Sequence, residues 1–312
     1  MLLNQLKDKA IWFVVIVLMA AFTWANPKFI TPANLLTIAR QVSMYGIAAI
    51  GMTFVILLGG IDLATGSIIT FVNILCAYFM VNMGMDMYVA IILSLIASTL
   101  VGAINGFMVS SVRMPALIAT FSTQTVFAGA SYLLCGGRPI NGFTEKFKVI
   151  GQGYLGPIPV PVILMAICFA VGSFILNSTY FGRYFYAVGG NEEAAKLSGI
   201  RVGRVKYLVY SLSGLFAGLA GVVMLSRTNS GQPTAGIGYE FDVITCVVLG
   251  GVSVSGGYGK LSNVLAGVLI IGALTNGMVL VGVSVYLQMV IKGLVLAFAV
   301  GFDCYQKRVK AA

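Results

Sequence analysis

The side chains able to do chemistry are few, and their spacing excludes most catalytic designs. No histidine occurs among the 312 residues, which removes histidine-based triads and the commonest general acid–base group. Cys76, Cys135, Cys168, Cys246 and Cys304 stand singly, without the CxxC spacing of a zinc site or a redox pair. No nucleophile–base or paired-carboxylate constellation appears. A G-x-x-x-x-G-K-[ST] phosphate loop is also missing. The residues therefore predict no catalytic group, no metal site and no cofactor.

What remains is polar chemistry inside apolar sequence. Asp62, Glu240 and Asp242 border apolar runs, where a carboxylate can couple transport to protons or ions, cap a helix or pair with a cation. Their places near the ends of the runs argue against an autonomous ion-coupled transporter. Asp62 sits in Leu58–Ser67 with Gly59, Gly60 and Gly66, a composition suited to a turn that a helix cannot make. Gln41, Asn73, Asn105, Gln124 and Asn276 fall within the apolar runs, as do Ser43, Ser122 and Gln288. Such groups suit hydrogen bonding to a neutral solute in a wet cavity, and equally the joining of helix to helix in lipid. Arg40 and Lys292 also lie inside runs and are expected to snorkel or pair, with Asp242 a partner for one of them.

One polar segment reads as a complete short helix. Asn191 is a good N-cap, Glu192 and Glu193 complement the positive end of the helix dipole, and Lys196 sits toward the negative end. Gly199 suits the left-handed position just past the C-terminus. Two turns are marginal alone in water. The segment from Gly189 through Ala194, Ala195 and Ser198 to Gly199 is either a solvated connector or a preformed nub received by a partner.

The elements that carry these residues are set by composition. With 59% hydrophobic and 9% charged residues and a mean hydropathy of +0.99, the apolar surface exceeds what one soluble interior can hide, so lipid must solvate much of it. Apolar runs at Ala10–Ala25, Asn34–Leu58, Ser67–Met83, Tyr88–Val112, Pro115–Cys135, Val160–Asn177, Lys206–Ser226, Phe241–Tyr258, Ser262–Val281 and Ser284–Phe302 predict an all-α polytopic bundle of about ten transmembrane helices. The first run follows Lys7 and Lys9 and imitates a signal peptide, but Asn26-Pro27 replaces a small-residue cleavage pattern, so a retained helix is expected. Phe241–Tyr258 is the weakest span, since Gly250, Gly251, Gly256 and Gly257 suggest a break or hinge.

The net charge of +10 belongs to topology. With the N-terminus inside, Lys7, Lys9, Arg113, Arg183, Lys196, Arg201, Arg204, Lys206, Lys260, Lys307, Arg308 and Lys310 face the cytoplasm. Only Lys28, Arg138, Lys146, Lys148 and Arg227 face out. The bias puts both termini in the cytoplasm. No basic stripe with interleaved aromatics suggests nucleic acid. The chain reads as a single transmembrane domain, 1–312, with a cytoplasmic segment at 178–206 and a turn-rich outer cap at Gly136–Pro159. A faint internal echo relates Leu58–Gly66 to Leu249–Gly257, and Gly102–Gly106 to Gly272–Gly277. Duplication with the site between the halves and chance matching of glycine-rich sequence both account for it.

Five motifs follow in order: Gly59-Gly60-Ile61-Asp62-Leu63-x-x-Gly66-Ser67, Asn105-Gly106, Gly189-x-Asn191-x-x-Ala194-Ala195-x-x-Ser198-Gly199-Ile200, Gln232-Pro233-x-Ala235-Gly236-x-Gly238-Tyr239-Glu240 and Val248-Leu249-Gly250-Gly251-x-Ser253. Together they resemble the ribose and simple-sugar branch of binding-protein-dependent ABC importer permeases. The resemblance runs from about Asn34 to Lys292. It implies a permease subunit, not itself an enzyme, in a bacterial inner membrane. It also implies a second permease subunit, a cytoplasmic ATPase whose groove receives residues 189–200, and a soluble sugar-binding protein outside. A branched-chain amino-acid permease of related architecture is the alternative. A zwitterionic amino acid needs an Asp and Arg pair midway through the spans, and none is well placed.

Overall fold

The computed structural model describes residues 2–311, with side-chain surroundings for 11–305. Among the described residues the regular structure is helical apart from one hairpin with two residues in each strand and an isolated bridge. Helix α1 (Leu2–Ala25) ends at Asn26, whose side chain accepts from Lys28 N–H and caps a short 3₁₀ turn, Pro27–Ile30. Then follow α2 (Pro32–Leu57), α3 (Thr65–Val81), α4 (Met87–Ser110) and α5 (Ala116–Cys135). Proline begins α2 where its missing N–H costs nothing, Asp86 caps α4, and Gly136 ends α5 in the left-handed conformation. An amphipathic α6 (Glu145–Gln152) and the antiparallel hairpin β1 (Tyr154–Leu155) and β2 (Ile158–Pro159) lead into α7 (Val160–Ser178). The remainder is α8 (Tyr180–Gly190), α9 (Glu192–Leu197), α10 (Val202–Thr228), α11 (Tyr239–Leu249), α12 (Leu261–Leu280) and α13 (Val285–Ala311).

Among the described residues, seven helices are long and apolar enough to cross a bilayer: α2, α4, α5, α7, α10, α12 and α13. The other three expected spans are shorter. They are the described apolar part of α1 (Ile11–Ala25), α3 with 17 residues and α11 with 11. At 1.5 Å per residue α11 reaches only about half of a ~30 Å hydrocarbon core. The expected Phe241–Tyr258 span is thus a half-helix that stops at Gly250, followed by a turn in which Gly251, Gly256 and Gly257 all have positive φ. Lys7, Lys9, Lys307, Arg308 and Lys310, part of the charge bias, lie outside the residues whose side chains are described.

The apolar helices sort into an interior and a rim. The most apolar windows of α2, α10 and α12 are 89%, 72% and 61% buried, whereas those of α4, α5, α7 and α13 are only 11–28% buried. The rim exposes Phe107, Phe174 and Phe298, as a lipid-facing surface should. Interior helices approach closely through small residues. Gly102 of α4 and Gly214 of α10 lie face to face, so that a Cβ on either would overlap the other helix's backbone.

The bundle has two ends. At one, Asn26 Nδ2 donates to Leu280 O, Gly151 N donates to Ser226 Oγ, and Ile140 bridges Gly231. At the other, Gly257 N donates to Leu57 O and Ser110 Oγ donates to Gly203 O. This second end carries α8 and α9.

Candidate functional site

The short helix α9 is built from its own caps. Asn191 Oδ1 accepts from Ala194 N–H at 2.9 Å. At the other end Gly199, with φ 83°, lets Gly199 N–H reach Lys196 O and Ile200 N–H reach Ala195 O, the paired bonds of a Schellman stop. Ala195 is buried while Leu197 is 90% exposed, so the helix presents an open apolar face. Glu192 ties it to α10 through Lys206 (2.7 Å) and meets Lys196 at 3.4 Å, and Lys196 also reaches Glu193 at 2.7 Å. The hydrogen bond from Lys206 holds the Glu192 carboxyl below the usual carboxylate range, and Lys196 adds to the effect against partial burial.

Immediately before α9 the backbone is locked to two distant turns. Gly189 packs on the carbonyl of Leu57, where a Cβ would overlap Leu57 O and lie 2.7 Å from Gly257 N. Gly257 N–H donates to Leu57 O at 2.9 Å. A Cβ on Gly256 would stand 2.7 Å from Gly59 N and 2.9 Å from Gly189 O. The two segments that echo one another in sequence, Leu58–Gly66 and Leu249–Gly257, therefore meet in space, and the end of α8 is the third member of the junction. Tyr186 of α8 adds a bond to Gly259 O (2.8 Å), and Asp303 of α13 accepts from Ser253 Oγ and Val254 N–H. Side chains cannot be fitted where three backbones meet at this distance, which accounts for the glycines.

Asp62 lies in the interior, not at an interface. It is wholly buried, accepting from Ala64 N–H (3.0 Å) and Ser213 Oγ (2.7 Å), so it makes an Asx-type turn ahead of α3 and joins that turn to α10. Leu63 N–H donates to Thr120 of α5. Gly66 abuts Gly236 and Glu240.

A second polar cluster forms where residues 229–238 leave the bundle end and run back along α3. Gln232 N–H donates to Asn73 Oδ1 and Gly236 N–H donates to Thr70 Oγ1. These bonds satisfy non-helical backbone inside the bundle and deliver the start of α11 to its middle. There Gln124 donates to Glu240 at 2.9 Å, Tyr45 donates to Asp242 at 3.0 Å, and Lys292 pairs with Asp242 at 2.7 Å. Tyr45 is near the centre of α2, so both carboxylates stand deep in the bundle, not at span ends as expected. Their place on the first turn of α11 matches the positive end of its dipole. Tyr45 stacks on Tyr239, and a cavity of about 340 Å³ beside them is lined by Met44, Arg227 and Gln232.

The remaining sequence candidates are dispersed. Asn276 forms a reciprocal amide pair with Asn34 near the opposite end from α9. Asn105 is buried on α4, and no described residue hydrogen-bonds its side chain. Gln41 lies on α2, half-buried. Ser43 and Ser122 donate to carbonyls of their own helices, and Gln288 donates to Val283 O. Arg40 has no carboxylate partner among the described residues. It donates to Gln152 O at 3.3 Å and covers the Tyr154 ring at 4.6 Å. Asn73 and Gln124 thus join one cluster, and Gln41, Asn105 and Asn276 do not. Sequence reasoning missed Tyr45, Tyr239 and Arg227. The Gln232–Glu240 motif was the available pointer to them.

These features describe a membrane-spanning helical bundle with an exposed, capped helix tied to two glycine turns at one end. The chain belongs to the family described as branched-chain amino acid transport system / permease component, whose profile matches residues 34–300. It is 46% identical to the ribose import permease protein RbsC of Bacillus subtilis (strain 168), over 93% of this chain and 90% of that one. Identity to RbsC of Escherichia coli (strain K12) is 41%, over 96% and 94% of the two chains. The L-arabinose transport system permease protein AraH of the same strain is 37% identical, over 91% and 86%. No solved structure matches the chain.

Proposed function

We propose that this chain is one of two permease subunits of an ATP-driven importer that moves a monosaccharide, of the pentose class, across a bacterial inner membrane. The observation that carries the mechanism is the glycine junction between the end of α8, the turn after α2 and the turn after α11. Displacement of α9 by a partner reaches two gating turns through backbone contacts that cannot stretch. In this reading an ATPase receives α9 and the coupling segment 178–206, where Gly189, Asn191, Glu192, Glu193, Ala194, Ala195, Ser198 and Gly199 form the docking unit. Gly59, Gly60, Asp62, Gly66, Gly250 and Gly251 shape the turns that move, and a soluble binding protein delivers solute at the opposite end.

The proposed topology has both termini in the cytoplasm and counts α1, α3 and α11 with the seven long spans, all in one domain, 1–312. It is supported by the placement of Arg113, Lys196, Arg201, Arg204 and Lys206 at the α9 end. Solute contacts are assigned to the Asn73, Gln124 and Gln232 side of the interior cluster, where amides and the Tyr45–Tyr239 stack suit a hydroxyl-rich ligand.

Sugar specificity is favoured over the amino acid of the family description because the relatives cited, similar along nearly their whole length, are named for ribose and arabinose. In proteoliposomes assembled with a cognate ATPase and sugar-binding protein, ATP-dependent uptake of labelled ribose or arabinose should be competed by pentoses and not by leucine. Competition by leucine alone would replace the sugar reading, and uptake on a proton or sodium gradient without any ATPase would replace both.

A further inference from the structure

The end bearing α9 holds a second cavity, of about 600 Å³, walled by the turn after α2, the α4–α5 connection, α9 and the start of α10. Three cations line it, Arg113, Lys196 and Lys206, against a single carboxylate, Glu192. That carboxylate is already engaged by Lys206 and Lys196, and Lys196 is further paired with Glu193 beside the pocket, which leaves one net positive charge, with Arg113 the lining cation outside those pairs. Two helices begin on the wall, α5 at Ala116 and α10 at Val202, and neither has a side-chain cap. Both are long, and their positive ends add to the field. Tyr210 completes the lining. It is 2% exposed, its hydroxyl has no hydrogen-bond partner among the described residues, and that hydroxyl lies against Gly60, itself a wall residue.

A buried hydroxyl with no partner is costly. A net cationic pocket with two uncapped helix starts calls for an anion with several acceptor oxygens. The setting indicates where it comes from. The pocket opens beside rim helices α4 and α5, whose adjoining turns expose Phe107, Val112, Leu117 and Ile118. A molecule with an anionic head and apolar chains matches both surfaces, as basic pockets between spans do on the cytoplasmic side of membranes. We infer that this cavity binds a phosphate group, carried by an anionic phospholipid of the inner leaflet. Arg113 and Lys206 supply the charge, and Tyr210 donates a hydrogen bond. A lipid so held would brace α9 against α4, α5 and α10. The inner-leaflet assignment rests on the topology proposed above. The binding itself does not.

Native mass spectrometry of the full chain, released from detergent with phosphatidylglycerol, phosphatidylcholine or inorganic phosphate, tests it. The wild type should retain phosphatidylglycerol in preference to phosphatidylcholine. The R113Q/K206Q double variant should weaken that retention by roughly thirtyfold, from two charges at a membrane surface, and Y210F by about tenfold, from one hydrogen bond to a charged group. R138Q, at the other end of the bundle, should leave it unchanged. Melting temperatures in phosphatidylcholine alone, close to wild type, establish that the variants fold. Retention indifferent to all three pocket substitutions overturns the site. Inorganic phosphate that displaces phosphatidylglycerol with the same dependence on the variants overturns the lipid as its source. Neither nucleotide, sugar nor partner protein enters the measurement, so its failure leaves the importer reading standing, and the converse holds.

Discussion

Asp242 and Lys292 meet at 2.7 Å in the middle of the bundle, with side chains only 12% and 22% exposed. A pair so placed adds little net stability because both charges lose water, yet removing one partner strands the other in a poor dielectric. D242A should therefore cost about 3 kcal/mol or more and lower the melting temperature in nanodiscs, as should K292M alone. The D242N/K292M double variant removes both charges and leaves Tyr45 an amide carbonyl to donate to, so it should recover most of that loss. Additive losses in the double variant would show that the two side chains act separately. Glu192 poses the opposite case at the surface. Its carboxyl titrates below the usual range in the folded chain, so its tie to Lys206 contributes stability above the ordinary carboxylate value and loses it as pH falls through the lowered one. A spin label at Leu197, 90% exposed, should gain mobility on acidification below the usual carboxylate range, and E192Q should show that mobility at neutral pH. A label whose mobility ignores both pH and E192Q would rule out the tether.

At the scale of elements, what was legible in sequence was what is locally determined. Asn191 and Gly199 declared the ends of α9 because capping depends on a few neighbouring residues. The amphipathic α8 was not legible, nor was the depth at which α11 begins, although the glycines from Gly250 onward point to its break. The run Phe241–Tyr258 is cut short where Gly250 and Gly251 turn the chain, and its start stands at mid-bundle because Asn73 and Thr70, far away in sequence, accept the non-helical 229–238 segment into the interior. For the same reason Glu240 and Asp242, read as span-end residues, stand deep in the bundle. The glycine junction was visible only as a faint echo, since nothing local says that two turns will touch. Its mechanical role has an internal control one residue away. A Cβ at Gly189 overlaps Leu57 O, whereas a Cβ at Gly190 meets nothing within 4 Å. Both close α8, so alanine raises helix propensity equally at either. G189A should force α8 from the turn, costing about 1–3 kcal/mol for overpacking, and should uncouple ATP hydrolysis from uptake. G190A should match wild type in melting temperature and in sugar carried per ATP. Equal impairment by both would remove the junction from the coupling path.

The bundle taken whole leaves one face that lipid cannot cover. Gln232, Thr234 and Ile237 on the non-helical segment are exposed, Ile237 by 72%, and Ser122 and Thr125 of α5 are exposed on either side of Gln124, which bonds Glu240. Irregular backbone at membrane depth is tolerated only against protein or a water-filled space. The hydrocarbon-rich rim of α13, with Phe298 74% exposed, has no such requirement. A second permease subunit set on the first face would enclose the polar stripe and turn it into a pathway, which explains why Gln232, Ser122 and Thr125 are exposed in a single chain. If that subunit is another copy of this chain, the interface is isologous, and a two-fold axis passing beside the exposed Ile237 would bring that position against its own symmetry mate. In a background with the five cysteines replaced, I237C should form a disulfide-linked dimer in native membranes under mild oxidation, and F298C should stay monomeric. Sugar delivered by the binding protein should slow cross-linking of I237C by occupying the shared space. Dimers formed through F298C and not I237C would place the partner on the wrong side of the bundle. That result would separate the polar stripe from the solute pathway.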